Sequence, residues 1–232
     1  MLELTKNYSP KSPFIFMSTN KVYGDNPNKL KLIEKKKRYE LSNNHEYFNG
    51  INEKFSIDHC THSFFGVSKT YADLIVQEYG KNVGLNTVTF RGGCITGPNH
   101  SGAKLHGFLS YLVKQCILNK KYTIIGYKGK QVRDNLHSYD LINCFWEFFK
   151  KPNKGKVYNI GGGRFSNCSI LEVINEVESI SGQKIKKKYI KKNRVGDHIW
   201  YISDNSKFIK DYPNWKQKYD TKKIINELIE NI

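Results

Sequence analysis

Phe14-Ile15-Phe16-Met17 is a short apolar run that stops abruptly in Ser18-Thr19-Asn20. A continuous apolar run of this length reads as a strand buried on both faces, the kind found inside a parallel sheet. In open α/β sheets ligands lie beyond the carboxyl ends of the strands, so Ser18 and Thr19 stand where a hydroxyl can touch one. The plainer alternative is an ordinary strand-to-loop turn. Downstream, His62-Ser63-Phe64-Phe65-Gly66-Val67-Ser68-Lys69 opens a helix that continues through Tyr79. Apolar residues at 67, 71, 74, 75 and 79 recur at helical spacing and predict its packing face. Lys69 falls in the first turns beside small residues, where it can meet a ligand or simply be solvated.

With 38% hydrophobic and 13% aromatic residues, the 232-residue chain is long and apolar enough for one core or two small ones. No apolar run approaches the roughly 18 residues of a membrane span, and Met1-Leu2-Glu3-Leu4-Thr5-Lys6 has no signal-peptide pattern, so a cytoplasmic protein is expected. Cysteines at 60, 94, 116, 144 and 168 lack Cys-x-x-Cys spacing, and the seven histidines show no ligand spacing. Neither a metal site nor a disulfide framework is indicated.

The net charge of +17 is spread over diffuse lysine runs without the aromatic interleaving of a nucleic-acid reader, so neither nucleic acid nor membrane is an expected partner. Only five of the 38 basic residues are arginines, at 38, 91, 133, 164 and 194. The guanidinium fork matters where a phosphate or carboxylate is held by paired hydrogen bonds, and Arg133 and Arg194 are the favoured candidates.

Residues 1–13 read as the tail of a helix and a proline-containing loop, and residues 25–60 as a polar surface excursion. Residues 86–91 are the next strand. Its glycine-rich exit, Gly92-Gly93-Cys94, lets backbone approach a flat ring, or serves topology alone. Residues 110–118 read as an amphipathic helix and 122–126 as a strand with a turn. Within residues 131–140, His137 reads as a loop-bracing residue and Asp140 as the cap of the helix that follows. Residues 156–160 form another buried strand, Ser169 and Glu172 a capping box, and residues 221–229 a packing helix.

Several motifs occur in a fixed order: Ser18-Thr19-Asn20-Lys21-Val22-Tyr23-Gly24, Phe65-Gly66-Val67-Ser68-Lys69, residues 126–134, residues 157–163 and Arg194-Val195-Gly196-Asp197. Together they resemble the extended short-chain dehydrogenase/reductase superfamily, the NAD-dependent sugar-nucleotide epimerases and dehydratases, and within it the epimerases of CDP-linked sugars. The resemblance implies an α/β fold, an incomplete Rossmann-like parallel sheet plus a smaller α/β substrate-binding domain. Residues 1–93 would be the latter part of the NAD-binding domain and 94–232 the nucleotide-sugar domain, with segments near 132–163 returning to the first sheet. No Gly-x-x-Gly-x-x-Gly turn precedes Phe14, so the pyrophosphate cradle is expected elsewhere, for instance in a separately encoded N-terminal half. The exposed edge this would leave implies homo-oligomerisation.

Carried over by position, Thr19 is the catalytic hydroxyl and Lys69 the lysine that also holds the nicotinamide ribose. Ser18, Gly92, Gly93 and Cys94 border the cofactor, and Thr19, Asn20, Arg133 and Arg194 contact substrate. The family's tyrosine, whose phenol takes the hydroxyl proton, falls at Phe65, which has no proton to exchange. Tyr71, Tyr23, His62 and Cys60 are the replacements suggested by proximity. The implied activity is transient oxidation and re-reduction of a sugar carbon. The alternative is a non-catalytic nucleotide-sugar-binding fragment or partner subunit.

Overall fold

The computed structural model describes residues 1–100, 102, 103, 107–194 and 196–232. The first half holds α1 (Leu2–Tyr8), β1 (Phe14–Thr19), β2 (Ile33–Glu34), β3 (Tyr39–Glu40), α2 (Phe64–Lys81), β4 (Thr87–Gly92), β5 (Cys94–Thr96) and α3 (Phe108–Ile117). The second holds β6 (Tyr122–Ile125), β7 (Val132–His137), α4 (Ser138–Lys150), β8 (Lys156–Ile160), β9 (Asn167–Ser169), α5 (Ile170–Ser181), β10 (Lys187–Ile190), β11 (Trp200–Tyr201), α6 (Ser206–Asp211) and α7 (Thr221–Glu230).

The strand opening at Phe14 lies at the edge of a parallel sheet ordered β1-β4-β8, paired with β4 from Phe14↔Thr87 to Thr19↔Gly92. Every residue of β4 is buried, whereas β1 is mostly half-buried, as expected of an outer strand among the described residues. The two faces of β4 differ in chemistry. Val88 and Phe90 point into a core with Phe148, Tyr158 and Phe208. On the other face the Thr87 hydroxyl donates to the Val76 carbonyl of α2, and Arg91 donates to Asp73 of α2 at 2.9 and 3.0 Å.

That polar strand face reverses the orientation expected for α2. Gly66, Asp73, Val76, Gln77 and Gly80 face inward, while Val67, Tyr71 and Leu74 of the apolar stripe are exposed. Helical periodicity identifies an apolar face, but a strand lined by threonine and arginine is matched by glycine, aspartate and glutamine instead. Ser63 caps the helix through the Gly66 amide.

A second sheet runs β11-β7-β5, with β9 antiparallel to β7, and a two-stranded parallel ladder joins β10 to β6. The segment read as the 131–140 loop is therefore mostly the central strand of this sheet, fully buried despite the sequence Val-Arg-Asp-Asn-Leu-His. Some of its polar groups are bonded internally: Asp134 Oδ2 accepts the Gly163 and Ser203 amides, and Asn135 Nδ2 donates to the Arg133 carbonyl. Asp140 is not the cap of α4. His137 fills that role through its Nδ1 and the Tyr139 amide, while Asp140 accepts the amides of Lys218 and Tyr219.

The excursion over 25–60 is also more than surface loop. Leu41 and Ile51 are fully buried with Val22, Tyr23, Trp200 and Tyr201 in a core of their own. Helices α3, α5 and α7 pack around β6, and the Ser169–Glu172 capping box opens α5. Among the described residues no helix is long and apolar enough to cross a membrane.

Removing Asp73 leaves Arg91 charged and buried. Asp73→Ala is expected to lose about 3–5 kcal/mol in urea unfolding, and a loss below about 1 kcal/mol would show that the pair contributes little to the sheet.

Candidate functional site

The carboxyl ends of β1 and β4 open onto a cavity of about 680 Å³. Its wall includes Ser18, Thr19 and Asn20 from the end of β1, Phe65 and Lys69 from α2, and Gly92, Gly93 and Cys94 from the exit of β4. Arg133 and Arg194 line the same space. These ten residues thus border one cavity. Val195 of the Arg194–Asp197 motif lies outside the described residues.

Their hydrogen bonds differentiate them. The Ser18 hydroxyl donates to buried Asp73 at 2.7 Å, so it serves the sheet–helix junction. Thr19 Oγ1 accepts from the Lys21 amide at 3.3 Å and lies 3.4 Å from Asn20 Oδ1, two long contacts that leave the hydroxyl able to turn to a ligand. Lys69 reaches back along β1, donating to the Met17 carbonyl at 3.1 Å with its ammonium 5.1 Å from the centre of the Phe16 ring. Gly93 lies against the Asp134 carboxylate, which a side chain there would strike.

The arginines correct a simple reading of their scarcity. Arg38 pairs with Glu40 and Glu172, Arg91 with Asp73, Arg164 with Glu40, and Arg133 with Asp197 at 2.6 Å. Arg133 also donates to the carbonyls of Val132 and His198, so its fork is already engaged inside the protein. Burial pushes the Asp197 carboxyl up, and Arg133 and Lys21 more than reverse this, holding it below the usual range.

Lys21 is the site residue that sequence reasoning passed over. It follows Thr19 by two residues on a 3-10 turn, lines the cavity and donates to the Gly196 carbonyl at 2.9 Å. Burial, with Arg133 and Arg194 nearby, lowers its ammonium to about 8 against the opposing effect of Asp197 and Cys94. The signal available in sequence was only its place in the polar stop after β1. Cys94 beside it is raised by burial to about 11.

Residues 1–161 match the model of the NAD dependent epimerase/dehydratase family. The chain belongs to that family. By the same token it is a member of the extended short-chain dehydrogenase/reductase superfamily. It is 30% identical to the CDP-paratose 2-epimerase of Salmonella typhi over 99% of this chain and 68% of that protein. It is 34% identical to the dTDP-D-glucose 4,6-dehydratase of Dictyostelium discoideum over 78% of this chain and 38% of that one. Among solved structures it resembles dTDP-glucose 4,6-dehydratase from Bacillus anthracis, a complex with NAD, with TM-score 0.75 and 24% identity over 99% of this chain and 64% of that chain. The Thermus thermophilus UDP-glucose 4-epimerase complex with NAD gives TM-score 0.76 and 18% identity, over 99% of this chain and 66% of the other. These structural likenesses establish the fold.

Phe65, the position at which the sequence resemblance would place a phenol, borders the cavity. None of the four nearby substitutes reaches the cavity wall. Tyr71 is exposed on the outer face of α2. Tyr23 is fully buried, its hydroxyl donating to Asn159 at 2.7 Å and accepting from Arg91 at 3.1 Å. His62 Nε2 is 2.7 Å from the Val22 carbonyl, and Cys60 Sγ is 3.6 Å from the His62 ring.

With its thiol near 11, Cys94 is about one part in a thousand thiolate at pH 8. Iodoacetamide should modify it at least 100-fold more slowly than free cysteine, the rate climbing until about pH 11, as read by peptide mass spectrometry. Labelling at the free-cysteine rate would place the thiol in open solvent.

Proposed function

We propose that this chain carries the nucleotide-sugar-handling part of an NAD-dependent, cytoplasmic epimerase, with a CDP-linked hexose as its substrate. The observation that carries the reading is the convergence of Thr19, Lys69 and Arg194 on one cavity at the carboxyl end of a parallel sheet, in a chain of this family. The match to an epimerase of CDP-paratose along 99% of the chain supports the choice of CDP. Residues 1–93 with β8 would form the cofactor side and the remainder of 94–232 the sugar-nucleotide side.

The Thr19 hydroxyl and the Lys69 ammonium offer the hydrogen bonds that a nicotinamide ribose and a sugar hydroxyl accept, so the residues present fit that end of NAD. NAD, when bound, supplies the hydride acceptor and donor. Thr19 would orient the sugar hydroxyl, and Lys69, anchored on the Met17 carbonyl, would present its charge to the ribose. Arg194 and the amino end of α3, whose first residues Phe108 and Leu109 border the cavity, would face the diphosphate. Phe65 supports a second reading, a subunit that binds the sugar nucleotide and leaves the redox step to a separately encoded or oligomeric partner.

Calorimetry separates these readings from a chain that has lost the site. CDP should bind, and Arg194→Ala should weaken it by about 1.5–3 kcal/mol; equal affinity in the variant would remove Arg194 from the site. Phe65→Tyr, which restores a phenol four residues before Lys69, should raise turnover of a CDP-hexose in the presence of NAD by about 10²–10⁴-fold if the chain is catalytic. No gain, with CDP binding intact, favours the binding subunit.

A further inference from the structure

The reading just proposed leaves a chemical gap. When the hydrogen on a sugar carbon departs as hydride, the hydroxyl proton on the same carbon must depart as well, and Phe65 cannot accept it. Tyr71, Tyr23, His62 and Cys60 lie off the cavity wall. Of the titratable groups on the wall, Asp197 is ion-paired with Arg133, while burial raises both Cys94 and Tyr122, so that thiol and phenol hold their protons. Lys69 is drawn back to the Met17 carbonyl and the Phe16 ring. His100 packs against Gly107 in the connection to α3, on a different element from the strand-end hydroxyl.

Lys21 shares its turn with Thr19. The Thr19 hydroxyl oxygen accepts the Lys21 backbone amide, so the two residues share one turn at the end of β1. The Nζ is fixed by the Gly196 carbonyl and faces Arg133, Asp197, Cys94 and Arg194.

From this arrangement we infer that Lys21 is the proton acceptor and donor of the site, standing in for the phenol absent at Phe65. In the forward half-step the sugar O–H bond breaks and its proton bonds to the neutral Nζ, the C–H electron pair leaves as hydride to a nicotinamide dinucleotide, and a C=O bond forms. Return of the hydride to the carbonyl carbon is matched by return of the proton from the ammonium to the oxygen. The proposal rests on the nucleotide-sugar reading but adds a residue to it. The amine suits the task because its lowered value, about 8, leaves about a tenth of the molecules neutral at pH 7 and most of them neutral above pH 8.5. Rate should therefore rise with pH and level off above about 8, which is the direction for a base whose protonated form is inactive.

A competing role for the same ammonium is to grip the diphosphate, and titration distinguishes the two without requiring turnover. Lysines of the whole chain are reductively methylated with ¹³C, and the Lys21 signal is assigned by its loss in Lys21→Arg. A midpoint near 8 that stays there with saturating CDP supports the proposal. A midpoint at the ordinary value of about 10.4 overturns it, as does a rise of about 1–3 units on adding CDP, which would put the ammonium on a phosphate. In the turnover arm, Lys21→Arg keeps the charge but cannot release a proton near neutrality, so it should bind CDP as the parent does and lose at least about 100-fold in rate. An undiminished rate in Lys21→Arg overturns the proposal. Failure of the parent chain to bind CDP by calorimetry would instead overturn the nucleotide-sugar reading, while the titration alone still decides whether the Lys21 amine is tuned.

Discussion

The buried Asp73–Arg91 pair ties the parts of this protein to one another. Asp73 Oδ1 accepts from Arg91 and Gln77, and Oδ2 from Arg91 and Ser18, so the carboxylate reaches β4, its own helix and the end of β1 at once. Arg91 continues the chain to the Tyr23 hydroxyl, which donates to Asn159 of β8. A charge pair with both partners almost wholly buried is tolerated because the remaining lone pairs and protons also find partners. All three strands of the first sheet are thereby fixed at their carboxyl ends, and the cavity opens at that end.

This junction explains why adjacent hydroxyls differ in role. Side chains alternate along a strand, so Ser18 points to the α2 side and is absorbed by Asp73, while Thr19 points elsewhere and keeps its hydroxyl at the cavity. It also explains the inverted helix. A helix laid on Thr87 and Arg91 gains more from matching polar partners than from presenting Val67, Tyr71 and Leu74, and those apolar side chains are left on the outside.

The legible parts of the chain were those where local pattern and tertiary environment agree. The apolar run at Phe14, the strand at 156–160 and the capping box at Ser169 each declare themselves because their burial or capping is satisfied by residues close in sequence or by a sheet that demands apolar side chains. The second sheet was illegible for the opposite reason. Arg133, Asp134 and Asn135 look like loop residues, and only partners 29 to 69 positions away, such as Gly163, Asp197 and Ser203, make their burial affordable. Lys21 was missed likewise: a lysine among lysines acquires its distinction from Arg133 and Asp197, neither of them near it in sequence.

Charge follows the same logic at the scale of the whole molecule. Along the sequence the excess of +17 is spread over diffuse lysine runs. In the fold, Arg38, Arg91, Arg133 and Arg164 are paired with the chain's own carboxylates. At the cavity, Lys21, Arg133 and Arg194 gather around Asp197. Charges at a partly buried wall are screened far less than those on the open surface, so this cluster acts on an anion more strongly than the dispersed total does.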